Sequence, residues 1–452
     1  MFNSLTKLLS ARNINFCTKC NFALVKTNIP SSKDYIKDMP INQYVISPHK
    51  RNRVYVWGNL RTGALGIPHS KKKENIHQVM GFKSPKRMHF AENNNVMSVA
   101  AGFGFTLYAT ENEVFGTGIN AESQIGYHEV RHDKPLGLLF APMSIHLDAF
   151  STVKNGKINK ISAGRAHSAV LTNTGLYLFG SNAYGQCGRK VIEDEVYSGS
   201  RILNFVENID GKKITDVVCG QDHTLVILED GSVYSCGWGA DGQTGLGHYN
   251  STDNFAQIKG DVAGERITHL ACRSDFVLAL TDKNEVFGWG NTEYSQMSLS
   301  DGSQQVCNPT HLSAFNKIGK VTSVATGGSF CLALTETGDV YVWGFGLLGL
   351  GPLVQETKIP TVIPRTLFGH NEFNNDSKVV SVHAGLSHMA AITNKGDLYT
   401  WGRNRSYCLG LGFDKDQYFP LKVALGGAVK DVSCGLDHMI AVCNSYISEQ
   451  VE

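Results

Sequence analysis

Short apolar runs recur in pairs along this chain. "HSAVLT" from His167 is followed across "NTG" by "LYLFG", and "HTLVIL" from His223 is followed across "EDG" by "VYSCG". Each run is five or six residues long, rich in β-branched, leucine and aromatic residues, and bounded by Gly, Asn or Asp. That is the pattern of a buried strand and not of an amphipathic helix. A tight turn bearing Gly or Asn between two such runs predicts a β-hairpin. The second run of each pair fits aliphatic-aromatic-x-x-Gly, which occurs seven times, at 54–58, 114–118, 176–180, 233–237, 286–290, 340–344 and 398–402. The intervals between the closing glycines are 60, 62, 57, 53, 54 and 58 residues, and all five Trp of the protein stand directly before a Gly.

The first run belongs to a second motif, small-Gly-x-x-(His or Phe) followed by apolar residues. Its seven copies begin at Ala101, Ala163, Cys219, Cys272, Thr326, Ala384 and Cys434, and the fourth carries Arg273 in place of Gly. Further apolar runs such as "ITDVV" from Ile214 complete repeats of about 55 residues, each reading as a sheet of about four antiparallel strands. The first closing glycine, Gly58, has no second motif before it, and 434–443 has no closing motif after it. The two ends therefore complete one blade together and leave no raw sheet edge. The expected fold is all-β: a seven-bladed β-propeller of four-stranded blades, its ring closed by pairing the N- and C-terminal strands.

Two stretches imitate a dinucleotide-binding turn. Gly344-Phe-Gly-Leu-Leu-Gly349 and Gly237-Trp-Gly-Ala-Asp-Gly242 both read G-x-G-x-x-G after a strand. They occupy equivalent repeat positions, and Leu-Gly-Pro after Gly349 does not open a helix, so no helix N-terminus awaits a pyrophosphate. No G-x-S-x-G, H-E-x-x-H or Walker loop is present. His167, His223, His388 and His438 share one repeat position with Phe105, Phe276 and Phe330. A position that accepts either ring calls for packing, since Phe cannot ligate. The single C-x-x-C, Cys17 and Cys20, has no partner pair for zinc. No enzyme, cofactor or metal site is expected.

The net charge of +2 confines any nucleic-acid contact to a local patch, and 47 Gly against 12 Pro suit many tight turns. Cysteine is scattered without the spacing of a secreted disulfide scaffold, and no run of eighteen apolar residues predicts a membrane helix. The first 33 residues carry Lys7, Arg12, Lys19, Lys26 and Lys33 and no acid. A basic, acid-free, amphipathic leader predicts a mitochondrial transit peptide; a disordered cytosolic tail is the alternative. The expected boundaries are a leader over 1–45, a propeller over 46–446 and a tail over 447–452. Lys71, Lys72, Lys73, Lys86 and Arg87 form a basic cluster that could hold RNA phosphates, or equally a solvated loop.

Together with "NAYGQCG" from Asn182, these motifs resemble the regulator of chromosome condensation repeat over roughly 54–443. The stretches 183–191 and 233–250, with "FGWGN", "IPRTLFG" and "DQYFP", are similar to a mitochondrial branch of that family. The resemblance implies guanine-nucleotide exchange on a dynamin-like fusion GTPase, with peripheral inner-membrane or matrix location. It also implies a part in mitochondrial ribosome biogenesis, on large-subunit ribosomal RNA with RNA-modification proteins. The alternative is a purely non-catalytic scaffold on that RNA. A monomer is expected. By position in the repeat, Asp222, Asp275 and Asp437 would face the partner, or else serve their own turns. The apolar stretch Pro135 to Met143, with Leu138, Leu139 and Phe140, would be the protruding wedge, or else a long loop packed on a blade.

Overall fold

The apolar pairs fold as hairpins at the centre of each sheet. The computed structural model describes residues 42–46, 52–68, 80–132, 134–147, 156–297 and 302–450. Six four-stranded antiparallel sheets span 98–145, 158–206, 214–257, 267–311, 321–363 and 379–422, and are numbered here as blades 1 to 6. Blade 7 joins Gly427–Cys434 and His438–Gln450 to Asn52–Asn59 and Gly81–Arg87, with Val54 opposite Val442 and Gly58 opposite His438. Strands are lettered A to D outward from the axis. Blade 2, for example, runs Ile158–Ala163, His167–Thr172, Leu176–Gly180 and Asn204–Val206. The propeller unit covers 46–447; residues 42–45 and 448–450 belong to a separate small unit and are extended strand.

Strands B and C are buried along their whole length in most blades, because both faces of each sheet meet a neighbouring blade. This is why their sequences are continuously apolar and do not alternate. The core lies between blades: Leu107 and Val114 of blade 1 pack with Ile161, Val170 and Tyr177 of blade 2. Three of the four strand-closing Trp side chains stitch neighbours together, while Trp401 Nε1 has no partner among the described residues. Trp289, Trp343 and Trp57 are fully buried and donate Nε1–H to the carbonyls of Gln243, Gln296 and Cys408 in the preceding blade, at 3.0, 2.7 and 2.7 Å. A buried indole N–H needs such an acceptor.

The glycine that follows explains the false cofactor motif. Gly344 ends strand C of blade 5 at φ 100°, and a Cβ there would stand 2.4 Å from the carbonyl oxygen of Ser329. The next amide, Phe345 N–H, donates to that carbonyl at 2.8 Å, and Trp238 N–H does the same to Asp222 in blade 3. The residue is glycine so that the A–B turn and the end of strand C can touch. Residues 346–355 form turns and no helix. "NAYGQCG" is equally structural: Asn182 Oδ1 accepts Cys187 N–H and Gln186 Oε1 accepts Tyr184 N–H, both at 2.9 Å.

Candidate functional site

Strand A ascends, B descends and C ascends, so the A–B turns and the C–D loops of all blades emerge on one face. That face collects the predicted acidic residues and the longest insertions. In every blade but blade 4, which carries Arg273, the A–B turn starts from a small residue and glycine, and the ring three residues later folds back over that glycine. His167 lies so close over Gly164 that a Cβ would be 2.3 Å from the imidazole. His167 and His438 then meet the threonine of the next blade, Thr224 and Thr106, each at 3.0 Å. His223 meets Cys272 Sγ at 3.2 Å. In blade 6 neither His388 nitrogen has a partner among the described residues. Burial holds all four imidazoles neutral, pushing each down to about 3. The histidines pack the ring of blades, and among the described residues no group of three or more His, Cys, Asp or Glu could hold a metal.

The three predicted aspartates are held into the face more than they project from it. Asp222 is 7% exposed and takes a two-pronged ion pair from Arg165 of blade 2, at 3.0 and 2.7 Å. Burial nonetheless raises its carboxyl above the ordinary value. Asp275 accepts from Gln243 Nε2 at 3.0 Å, and burial raises it to about 6, with Asp241 and Asp222 adding to the rise. Asp437, 5% exposed, accepts from Asn59 Nδ2 at 2.5 Å, and burial raises it too. Asp222 and Asp275 thus share one neighbourhood between blades 2 and 4, while Asp437 stands apart in blade 7. The sequence leaves two readings for these residues, facing a partner or serving their own turns. Asp222 and Asp437 are spent on contacts within and between blades.

The wedge is also relocated. Leu138–Ile145 is the regular outermost strand of blade 1, with Leu138 opposite Ile119 and Leu139 opposite Gly118. Leu139 is 3% exposed, and its carbonyl accepts the Thr117 hydroxyl at 3.0 Å; Leu138 and Phe140 lie on the outer rim. The protruding element is the stretch just before it. Glu129–Arg131 and Lys134–Pro135 pair as a small hairpin within the C–D loop of blade 1. Pro135 rests on Gly199 of the long C–D loop of blade 2, where a Cβ would lie 2.8 Å from its ring. Arg201 of that loop covers the Tyr127 ring at 3.9 Å. The joined loops raise a ledge whose apolar side chains face solvent, Val130 at 76% and Val196 at 75% exposure, with Ile192 and Ile202 beside them.

Sequence reasoning passed over the aromatic pairs on the same face. Tyr184 meets Trp238 at 4.5 Å across blades 2 and 3, and Tyr294 stacks on Phe345 at 5.9 Å across blades 4 and 5. Their signal was available as aromatics in successive C–D loops. Of the basic cluster, Lys71, Lys72 and Lys73 lie outside the described residues. Lys86 is exposed on strand D of blade 7, and Arg87 is engaged by Glu92 at 2.5 and 2.6 Å. That pair removes one charge from the proposed RNA patch. No helix among the described residues is long and apolar enough to cross a membrane.

Comparison with known proteins fits this architecture. The model described as regulator of chromosome condensation (RCC1) repeat matches 51–109, 175–227, 283–334, 337–392 and 395–442. The chain is 44% identical over 426 residues to the RCC1-like G exchanging factor-like protein of Mus musculus, covering 91% of each chain. It is 42% identical over 433 residues to the Homo sapiens protein of that name, again with 91% of each covered. The crystal structure of human WBSCR16 is similar at a TM-score of 0.80 and 41% identity, covering 88% of this chain and 100% of that one.

Proposed function

This chain belongs to the regulator of chromosome condensation (RCC1) repeat family, on the side of the RCC1-like G exchanging factors, and from that premise we propose that it is a mitochondrial guanine-nucleotide exchange factor for a dynamin-like GTPase. The observation that carries this reading is the similarity, over 91% of both chains, to proteins named for nucleotide exchange. The basic leader supports the mitochondrial address, on the matrix side or peripheral to the inner membrane.

Exchange needs no nucleophile. It needs a surface that binds the nucleotide-free GTPase more tightly than the loaded one, since a ligand shifts an equilibrium only by its differential affinity. The A–B face suits that task. Val130 and Val196 supply an apolar anchor standing above the face, and the aromatic pairs supply rigid contact area. Asp275, partly exposed beside Asp241, supplies negative charge against a basic nucleotide pocket. Release of a fluorescent GDP analogue from the fusion GTPase, followed with and without the full chain, tests the reading. Unchanged release at stoichiometric protein would overturn it.

A second role in ribosome biogenesis rests on the basic residues before strand D of blade 7 and on exposed Lys86. Cross-linking in mitochondria would recover large-subunit ribosomal RNA with this chain. Recovery unchanged by charge reversal at Lys71, Lys72 and Lys73 would remove that patch from the account.

A further inference from the structure

Large exposed apolar side chains concentrate in two sectors. One is the ledge of blades 1 and 2, which the exchange reading assigns to the GTPase. The other lies across the ring, where strand D of blades 5 and 6 starts from the face that carries the C–D loops. Leu353, in the C–D loop of blade 5, is 96% exposed, Ile359 64%, Phe419 43%, and Phe413 and Tyr418 38% each. Backbone contacts bring these tips together. Gly351 N–H donates to the Tyr418 carbonyl at 3.1 Å, and a Cβ on Gly351 would lie 3.1 Å from the Phe419 ring. Gly412, next to Phe413, donates its N–H to the carbonyl of Lys83 in strand D of blade 7 at 2.8 Å. The Lys83 ammonium sits 5.0 Å from the Tyr407 ring of blade 6. Thr357 pairs with Gly344 and Gln417 with Gly402, so both D strands begin at the level of the closing glycines, on that same face.

Cations surround the tips. Lys83, Lys358, Arg403, Arg405 and Lys415 are exposed along this edge, and none of their side chains has an ion-pair partner among the described residues. The acids beside them are Glu356, Asp414 and Asp416, and Asp416 Oδ1 already accepts Asn404 N–H at 2.7 Å. Asp437, which faces Arg405, is buried and held by Asn59. The edge is therefore net positive, with apolar tips set singly among unpaired cations. That arrangement matches the boundary of an anionic bilayer, where apolar tips enter the acyl region and Lys and Arg stay with the headgroups. Two other occupants are disfavoured. A further β-strand is refused by Pro360 and Pro420, which stand within the free edge strands. A second copy of the chain on this edge would set the same cations against one another.

We propose that this edge, from the C–D loops of blades 5 and 6 to the start of strand D in blade 7, docks on an anionic phospholipid surface. Leu353, Phe413 and Phe419 enter the bilayer boundary, and Lys83, Arg403 and Arg405 meet headgroup phosphates. The inference rests on the inner-membrane address proposed above, and it leaves the ledge across the ring free for the GTPase. The basic leader attracts anionic vesicles by itself, so the readout must be local. An environment-sensitive fluorophore is placed on the full chain at L353C, and in a second protein at V130C on the ledge; wild type carried through the same labelling sets the background from its own thiols. Brominated phosphatidylglycerol in phosphatidylcholine vesicles should quench the label at 353 and not the label at 130, and brominated vesicles of phosphatidylcholine alone should quench neither. Adding K83E, R403E and R405E to L353C should raise the lipid concentration needed at least about tenfold, since each cation near an anionic surface contributes about a factor of five. F419S, with the label kept at 353, should weaken the response in the same direction should the triple variant fail to fold. GDP release in solution should keep its wild-type rate in the charge-reversed chain, so a failure of docking stands apart from a failure of the exchange reading. Absent quenching at 353, equal quenching at both positions, or quenching unchanged in both variants overturns the proposal. Charge reversal that abolishes binding of an RNA oligonucleotide and leaves quenching intact gives the cations to RNA and overturns it as well.

Discussion

Replacing His167 by phenylalanine separates the packing role of the repeated ring from its ionisation. The substitution is sterically licensed, because Phe105 and Phe330 already cover Gly102 and Gly327 at 2.3 and 2.2 Å from a notional Cβ. At pH 7 the cost is one hydrogen bond, Nε2 to Thr224 Oγ1, worth about 1 kcal/mol. Thr224 stays satisfied, since its hydroxyl also donates to the Gln186 carbonyl at 2.7 Å. The pH response carries the information. His167 is held at about 3 in the folded chain against 6.5 when exposed. Between those values the unfolded chain binds a proton that the folded chain refuses, so stability is lost as pH falls below 6.5. From pH 7 to pH 5 the loss is about 2 kcal/mol for this one imidazole, at 1.36 kcal/mol per pH unit. His167→Phe cannot suffer it. Urea unfolding of both proteins across pH 5 to 7.5 should give curves that cross, the variant about 1 kcal/mol less stable than wild type at pH 7 and about 1 kcal/mol more stable at pH 5. Parallel curves would mean that the buried imidazole titrates normally, and the account of the ring layer would fail.

The same linkage runs with opposite sign at Asp275, whose carboxyl is raised to about 6 from 3.8. Its ionised form opposes folding at neutral pH, so Asp275→Asn should stabilise by up to about 3 kcal/mol at pH 7.5 and by little at pH 4, read from urea midpoints. Gly344→Ala places a Cβ 2.4 Å from Ser329 O at φ 100° and should cost roughly 3 kcal/mol or more, seen as a large drop in Tm. Val130→Asp with Val196→Asp touches only exposed side chains, so Tm should hold within about 1 kcal/mol of wild-type stability while nucleotide release slows about tenfold or more. A double variant with full exchange activity would remove the ledge from the binding surface.

The repeat was written in the sequence because each blade solves the same local problem. Paired apolar runs, turn residues and the strand-closing glycine are short-range features, and Gly58 without a preceding partner implies closure by itself. The sequence also marked residue 273 as the one A–B turn without glycine. What it could not supply is what lies across a blade boundary or across the axis. His167 and His388 look alike in the chain, yet one meets Thr224 and the other has no partner for either ring nitrogen among the described residues. Asp222 reads as a partner-facing or turn-serving acid, and nothing local in the chain announces its pairing with Arg165 of the neighbouring blade. The stretch from Pro135 to Met143 reads as an insertion because the repeat interval that holds it, Gly118 to Gly180, is the longest of the six, while the projecting ledge belongs to two C–D loops that meet only after blades 1 and 2 pack. Arg273 reaches Ala101 over 172 residues of chain because a closed ring turns sequence distance into a few ångströms. Local pattern fixes strands and turns; closing the ring decides which polar groups are paired, which are buried alone, and therefore where binding can occur.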